Sequence, residues 1–216
     1  MAPDRIARVA SVLLTAAASS ASPAATAPVA RDYAGAQTMS RSLPLTDDAG
    51  ARQTPFAGIS IYQSEQRGWT IVTFYLMFRE TSDEEASRRD SYWVARRVVG
   101  SDARKARGVP AIDWAISDQC PNLDAAIRSM DEAIAPRMEL AVPGEGDPSE
   151  FEPGPVRFRL WSNEGRFQGT PYAAQLSVTT TGASPVSAWI DTTLSRLQSC
   201  WGSDLPAGVT LPSPTH

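Results

Sequence analysis

From residue 56 onward short apolar runs alternate with polar interruptions, and the spacing inside each run predicts the element it forms. Residues 56–63 and 69–79 are aromatic and β-branched, and the turn-forming stretch 64–68 joins them, which predicts a hairpin with a five-residue loop. In the second run Thr70, Val72, Phe74, Leu76 and Phe78 fall on one side. Trp69, Ile71, Thr73, Tyr75 and Met77 fall on the other, so both faces are apolar. A strand of this kind belongs in the middle of a sheet covered twice. Its eleven residues are too few for a membrane-crossing helix. A charged stretch at 81–90 leads to a third strand at 91–99, whose Arg96 and Arg97 must point to opposite faces. Residues 109–116 read as a fourth strand, and 156–161 and 172–180 as two more around a polar turn at 163–169.

Two segments carry a helical period instead. Pro121 suits a first helical position, and Leu123, Ile127, Met130 and Ile134 form one apolar stripe that ends before Pro136. Ser184 can cap a second helix with Pro185 at its first position. Val186, Trp189, Ile190, Leu194 and Leu197 form its stripe, and Gly202 stops it. The pattern predicts an α+β domain over 55–203: a mostly antiparallel sheet of about six or seven strands, with two helices packed on one face.

The flanks have a different texture. Arg5 and Arg8 precede an apolar stretch at 9–18 and then small residues, the order of an export signal, with cleavage expected after Ala18 or Ala21. Residues 1–21 are therefore read as a signal peptide. Residues 22–54, with few apolar positions and no period, are read as a flexible leader, and 204–216, with three prolines, as a disordered tail. Cys120 and Cys200 are the only cysteines. In an oxidising compartment they permit a single intramolecular pairing, which would tie the start of the first helix to the end of the second. That bridge favours antiparallel neighbouring helices, with Leu197 and Trp201 beside the first helix's N-terminal turn.

Charge and chemistry narrow the functional field. Removing 1–21 takes away Arg5, Arg8 and Asp4 and leaves 18 basic and 23 acidic side chains of the 20 and 24 in the chain. A mildly acidic protein without a basic stripe is a poor match for nucleic acid, where phosphate contacts supply most of the affinity. Arg88, Arg89, Arg96, Arg97, Arg104 and Arg107 could gather as an anion site, although interspersed carboxylates favour a mixed solvated face. His216 is the sole histidine and Lys105 the sole lysine. Because His216 is the last residue of the expected disordered tail, nucleophile systems built on histidine and histidine metal sites fall away; the lone lysine weakens Schiff-base, Ser-Lys and P-loop mechanisms, and no Gly-rich phosphate loop follows a candidate strand. No cofactor is expected.

Paired carboxylates remain as a catalytic option, as in glycoside hydrolysis. The candidates are Asp113 and Asp118, flanking Trp114, with Glu164 and Asp191 more distant. Glu145, Asp147, Glu150 and Glu152 crowd one loop with oxygen ligands, but their spacing matches no EF-hand. Of the six tryptophans, Trp93 and Trp161 lie in strands where either face is open to them, which makes them the candidate surface-binding residues. The expectation that emerges is a periplasmic or secreted noncatalytic module binding a partner protein or envelope component. The alternatives are a carboxylate hydrolase acting on a glycan and a self-associating envelope protein that uses an uncovered face of the 69–79 strand.

Overall fold

The computed structural model describes residues 30–79, 90–103, 108–130, 133, 156–167, 170–182 and 184–212. The chain opens with α1 (Tyr33–Ser42) and a small pair, β1 (Leu45–Thr46) and β2 (Arg52–Gln53). The main sheet follows: β3 (Ala57–Gln63), β4 (Gly68–Arg79), β5 (Asp90–Ser101), β6 (Ala111–Ile116), β7 (Val156–Phe167) and β8 (Thr170–Thr181). Helix α2 (Pro121–Arg128) comes after β6, and α3 (Pro185–Arg196) after β8, with a 3-10 turn at Gln198–Cys200. Strand order is β6-β5-β4-β3-β7-β8, every neighbour antiparallel. This is the α+β architecture the pattern predicts, with six strands in the main sheet.

β4 lies inside the sheet, and its two apolar faces are both buried. Val72 and Phe74 join Ala57, Ile59, Ala95 and Leu160 on one side, and Leu123, Ile127, Val186, Ile190 and Leu197 from α2 and α3 cover them. We call this the helix face. α3 is closed at its N-terminus by a reciprocal cap in which Ser184 Oγ accepts from Ser187 N at 3.0 Å and Ser187 Oγ accepts from Ser184 N at 2.8 Å. The predicted stripe of α2 holds for Leu123, Ile127 and Met130, whereas Ile134 lies outside the described residues. Cys120 and Cys200 form the predicted disulfide, with Cα atoms 5.6 Å apart.

The opposite face is covered by residues 33–53 and 205–211, which composition alone assigns to a flexible leader and a disordered tail. Asp32 caps α1 by accepting from Gly35 N at 2.7 Å, and the helix lays Tyr33, Ala36 and Gln37 across β3, β4 and β5. Its buried side is made of small and polar groups, so it carries no large apolar stripe for a periodicity argument to find. The apolar surface comes from the sheet, through Trp69, Ile71 and Val98. Leu45, fully buried, and Val209 pack on Tyr75, Met77, Tyr92, Val94 and Trp114, with Leu205 and Leu211 at the margin. The tail reaches that position by passing around the β6 edge. Gly202 exchanges backbone hydrogen bonds with Trp114 at 2.7 and 2.9 Å, and Thr210 does so with Thr46 at 2.9 Å each way. We call this second side the cap face. The expected signal at 1–21, residues 22–29 and residues 213–216 lie outside the described residues.

Three local differences from the sequence pattern have physical reasons. Gly68 pairs with Gln63 as the first residue of β4, which shortens the loop to 64–67 and leaves Arg67 to turn the chain at φ 53°. Gly202 does not end a continuous helix, because α3 stops at Arg196 and Gly202 is a bridge residue on β6. The polar stretch 163–167 stays paired with β8 through a register shift between Ser162 and Glu164, so a bulge carries the hairpin past the point where a turn is predicted.

Leu45 separates an ordered cap from a flexible leader. Leu45→Ala should cost about 2–5 kcal/mol in chemical denaturation, the range for deleting a buried leucine, whereas a flexible leader would show no change. Replacing both cysteines by serine should cost about 2–5 kcal/mol, a fall in Tm of roughly ten degrees for a chain of this size, read by calorimetry.

Candidate functional site

The two carboxylates best placed for chemistry are held by different arginines on different faces. β5 and β6 set Arg97 directly opposite Asp113, so both side chains leave the sheet on the helix face. Arg97 donates to Asp113 Oδ2 from Nη2 at 2.6 Å and from Nε at 2.9 Å, and its guanidinium lies 4.6 Å from the Trp201 ring centroid. Asp118, just beyond β6, is ion-paired with Arg79, which stacks at 4.3 Å on Tyr92, a residue of the cap face. Asp113 and Asp118 therefore share no cleft. Each is an acceptor whose lone pairs are directed at a guanidinium, an arrangement that holds strands and loop together and offers no proton relay between them.

The other candidates are dispersed. Trp161 is 2% exposed, lying flat over Gly58 on the opposing strand with the Arg41 guanidinium 5.5 Å from its ring. A Cβ on Gly58 would come within 2.6 Å of that ring, so the indole occupies the space a side chain would take. Trp69 covers Gly100 in the same way. Burial removes Trp161 from the candidate binding residues. Trp93 is half-buried on the helix face against Phe56, with ring centroids 5.2 Å apart. Trp69 and Trp114 are buried, and Trp189 and Trp201 are half-buried against the helix-face core, Trp189 Nε1 donating to Ser129 Oγ at 3.0 Å. The side chain of Glu164, the acidic loop with Glu145, Asp147, Glu150 and Glu152, and Arg88, Arg89, Arg104 and Arg107 lie outside the described residues. Among the described residues, no group of three or more His, Cys, Asp or Glu side chains is placed to hold a metal ion.

Asp191 is exposed on α3 at the rim of an open groove of about 380 Å³ between the N-terminal half of that helix and the ends of β7 and β8. Val156 and Phe158 give it an apolar floor, while Ser184, Ser187 and Ala188 form the wall. Both serine hydroxyls are engaged in the helix cap. The groove can accept an apolar group and offer one carboxylate to a donor, and it holds no nucleophile–base pair.

Sequence reasoning missed a polar layer inside the cap face. Arg96, predicted to face away from Arg97, is 2% exposed on β5 beside its cross-strand neighbour Thr73, with Trp114 at 5.9 Å. The Tyr75 hydroxyl donates to Leu43 O at 3.0 Å, and Ser60 meets both Tyr33 and Gln37. Burial lowers the Arg96 pKa and raises that of Tyr75 well above its ordinary value. Period-two spacing puts Arg96 on the same face as Tyr75, so the signal was present; what hid it was that the segments covering that face were read as a flexible leader and a disordered tail. No protein-family model, curated protein or solved structure matches the chain. Among the described residues no helix is long and apolar enough to cross a membrane.

The raised Tyr75 pKa fixes the sign of an alkaline dependence. Its neutral phenol is favoured in the folded state, so its contribution is complete below pH about 10 and is lost as pH rises towards the folded value. Tyr92 is shifted the same way, first by burial and then by Asp48. Phenolate absorbance should therefore show Tyr75 ionising only together with loss of near-ultraviolet dichroism. Tyr75→Phe should weaken that coupling and cost about 1 kcal/mol at neutral pH through the lost hydrogen bond.

Proposed function

We propose that the mature chain acts in the periplasm or outside the cell as a noncatalytic module that binds a partner protein or envelope component. The observation that carries this reading is the separate commitment of Asp113 and Asp118 to Arg97 and Arg79, which leaves the strongest acid–base candidates in ion pairs on opposite faces. The disulfide and the basic–apolar–small order of residues 1–21 support export. The groove beside α3, apolar below with Asp191 at its rim, is the recess assigned to the ligand.

Purified mature protein should bind saturably to an envelope fraction of its host. Ala188→Trp, a change at an exposed helix position that fills the groove, should weaken binding at least about tenfold, or 1.4 kcal/mol. Fractionation into glycan and protein components identifies which one is bound. Hydrolysis of an envelope glycan that disappears in Asp113→Asn would replace this reading by the carboxylate-hydrolase alternative.

A further inference from the structure

Three arginines collect on the cap face beside α1. β7 sends Arg157, Arg159 and Trp161 to that side, opposite Tyr62, Ser60 and Gly58 of β3, and β8 adds Thr181, Thr179 and Ser177 next to them. α1 packs on β3, β4 and β5 and stands as a wall along this shelf. From the wall Gln37 donates to Ser60 Oγ at 3.2 Å, and one turn later Arg41 holds its guanidinium 5.5 Å from the Trp161 ring centroid. Arg157 and the three hydroxyl residues are exposed, and Arg41 and Arg159 are half-buried. Arg79, Arg97 and Arg128 each hold a carboxylate. Arg41, Arg157 and Arg159 hold none among the described residues. Arg159 Nε donates to Ser177 Oγ at 2.8 Å, and Arg41 Nη2 is closed off from solvent with no acceptor among the described residues. The Arg41 pKa is lowered first by burial and then by the Arg159 charge, so two guanidiniums stand within reach of each other's repulsion with no described carboxylate to offset it. In a chain of formal net charge −4 this is a local reversal of sign.

We propose that this shelf binds a small soluble phosphate, free or as a monoester, seated between Arg41 and Arg159. The Thr179 hydroxyl, directly across from Arg159, lies on its floor, and Arg157 is an outer contact about 6.6 Å along the strand. A phosphate dianion brings two charges and several acceptor oxygens, and guanidiniums form its strongest charge-assisted hydrogen bonds. A monocarboxylate would neutralise one of the two crowded guanidiniums and leave the other. The Ser177 and Thr179 hydroxyls can donate to further oxygens of the same group. With the anion in place, repulsion between Arg41 and Arg159 becomes shared attraction to one partner. The occupant is a small solute because α1, a helix about 10 Å across, stands beside the arginines and holds a flat bilayer surface away from the sheet. Trp161 beneath the shelf is 2% exposed, so no indole face is open for a sugar ring to stack on. The shelf and the α3 groove lie on opposite faces of the sheet, so this site stands or falls apart from the binding function proposed above.

Calorimetric titration of the disulfide-bonded mature chain with inorganic phosphate and, separately, with glycerol phosphate tests this near neutral pH. One saturable site should appear, with a dissociation constant of about 1 mM or tighter, and the tighter of the two probes identifies the source of the phosphate. Arg41→Gln and Arg159→Gln should each weaken it at least about tenfold. Arg196→Gln removes an exposed arginine from α3 on the other face and should leave it unchanged. The Tm of Arg159→Gln in phosphate-free buffer should be no lower than that of the wild type, and phosphate should raise the Tm of the wild type and not of this variant. A wild-type chain that binds neither probe saturably overturns the proposal. So does binding that survives Arg159→Gln, an equal loss in Arg196→Gln, or attachment to phosphatidylglycerol vesicles without binding of either soluble probe.

Discussion

A strand that is apolar on both faces obliges the rest of the chain to cover a sheet twice, and most of this fold follows from that constraint. β4 has Val72 and Phe74 on one face and Trp69, Ile71, Tyr75 and Met77 on the other, all buried. Two amphipathic helices satisfy the helix face in the ordinary way. Among the described residues the cap face is covered instead by a short helix and a two-strand clip that precede the sheet and by an extended segment that follows α3. The clip and the tail are joined to each other through Thr46 and Thr210, which makes a single cover of two segments far apart in sequence.

The disulfide gains its structural weight from where that cover begins. Cys200 is followed at once by Trp201, which stacks on Arg97, and by Gly202, which pairs with β6 before the chain crosses to the cap face. Cys120 sits between the end of β6 and the start of α2. The bridge therefore fixes the tail at the edge it must pass around. The entropy lost in crosslinking the unfolded chain is one part of its effect; holding the departure point of the tail, so that Leu205 and Val209 meet a preformed apolar surface, is the other.

Sequence made the helix face legible and left the cap face obscure, for one reason. Periodicity reports elements that bring their own apolar surface: the stripes of α2 and α3, the cap at Ser184, the alternation in β4 and the pairing of Cys120 with Cys200 are all of this kind. α1 brings Ala36 and Ser40 as its buried residues, and the tail brings Leu205, Val209 and Leu211 among prolines. These segments are ordered by surface that others supply, which low mean hydropathy does not disclose. The candidate site shows the same division. Asp113 and Asp118 were visible as carboxylates near a strand end, but their arginine partners depend on register: Arg97 faces Asp113 only because β5 and β6 pair in the register that aligns them.

The cap face also explains why a guanidinium and several hydroxyls lie inside this small domain. A cover made of polar and small residues buries less apolar area than a helix pair would, and hydrophobic contact alone would locate it loosely. Fixed donors and acceptors give it register. The Tyr75 hydroxyl meets Leu43 O at the end of α1, Ser60 meets Tyr33 and Gln37, and Asp47 accepts from Ala51 N and Gln53 Nε2, both at 2.8 Å. Removing any one of these groups would leave its partner desolvated and unmatched, so a displaced cover is penalised at several points together. Arg96 sits within the same layer, where a charge excluded from water tolerates few alternative surroundings. On the helix face shape fixes the packing, and on the cap face the polar contacts do so, which is how two segments poor in apolar period can hold a sheet face.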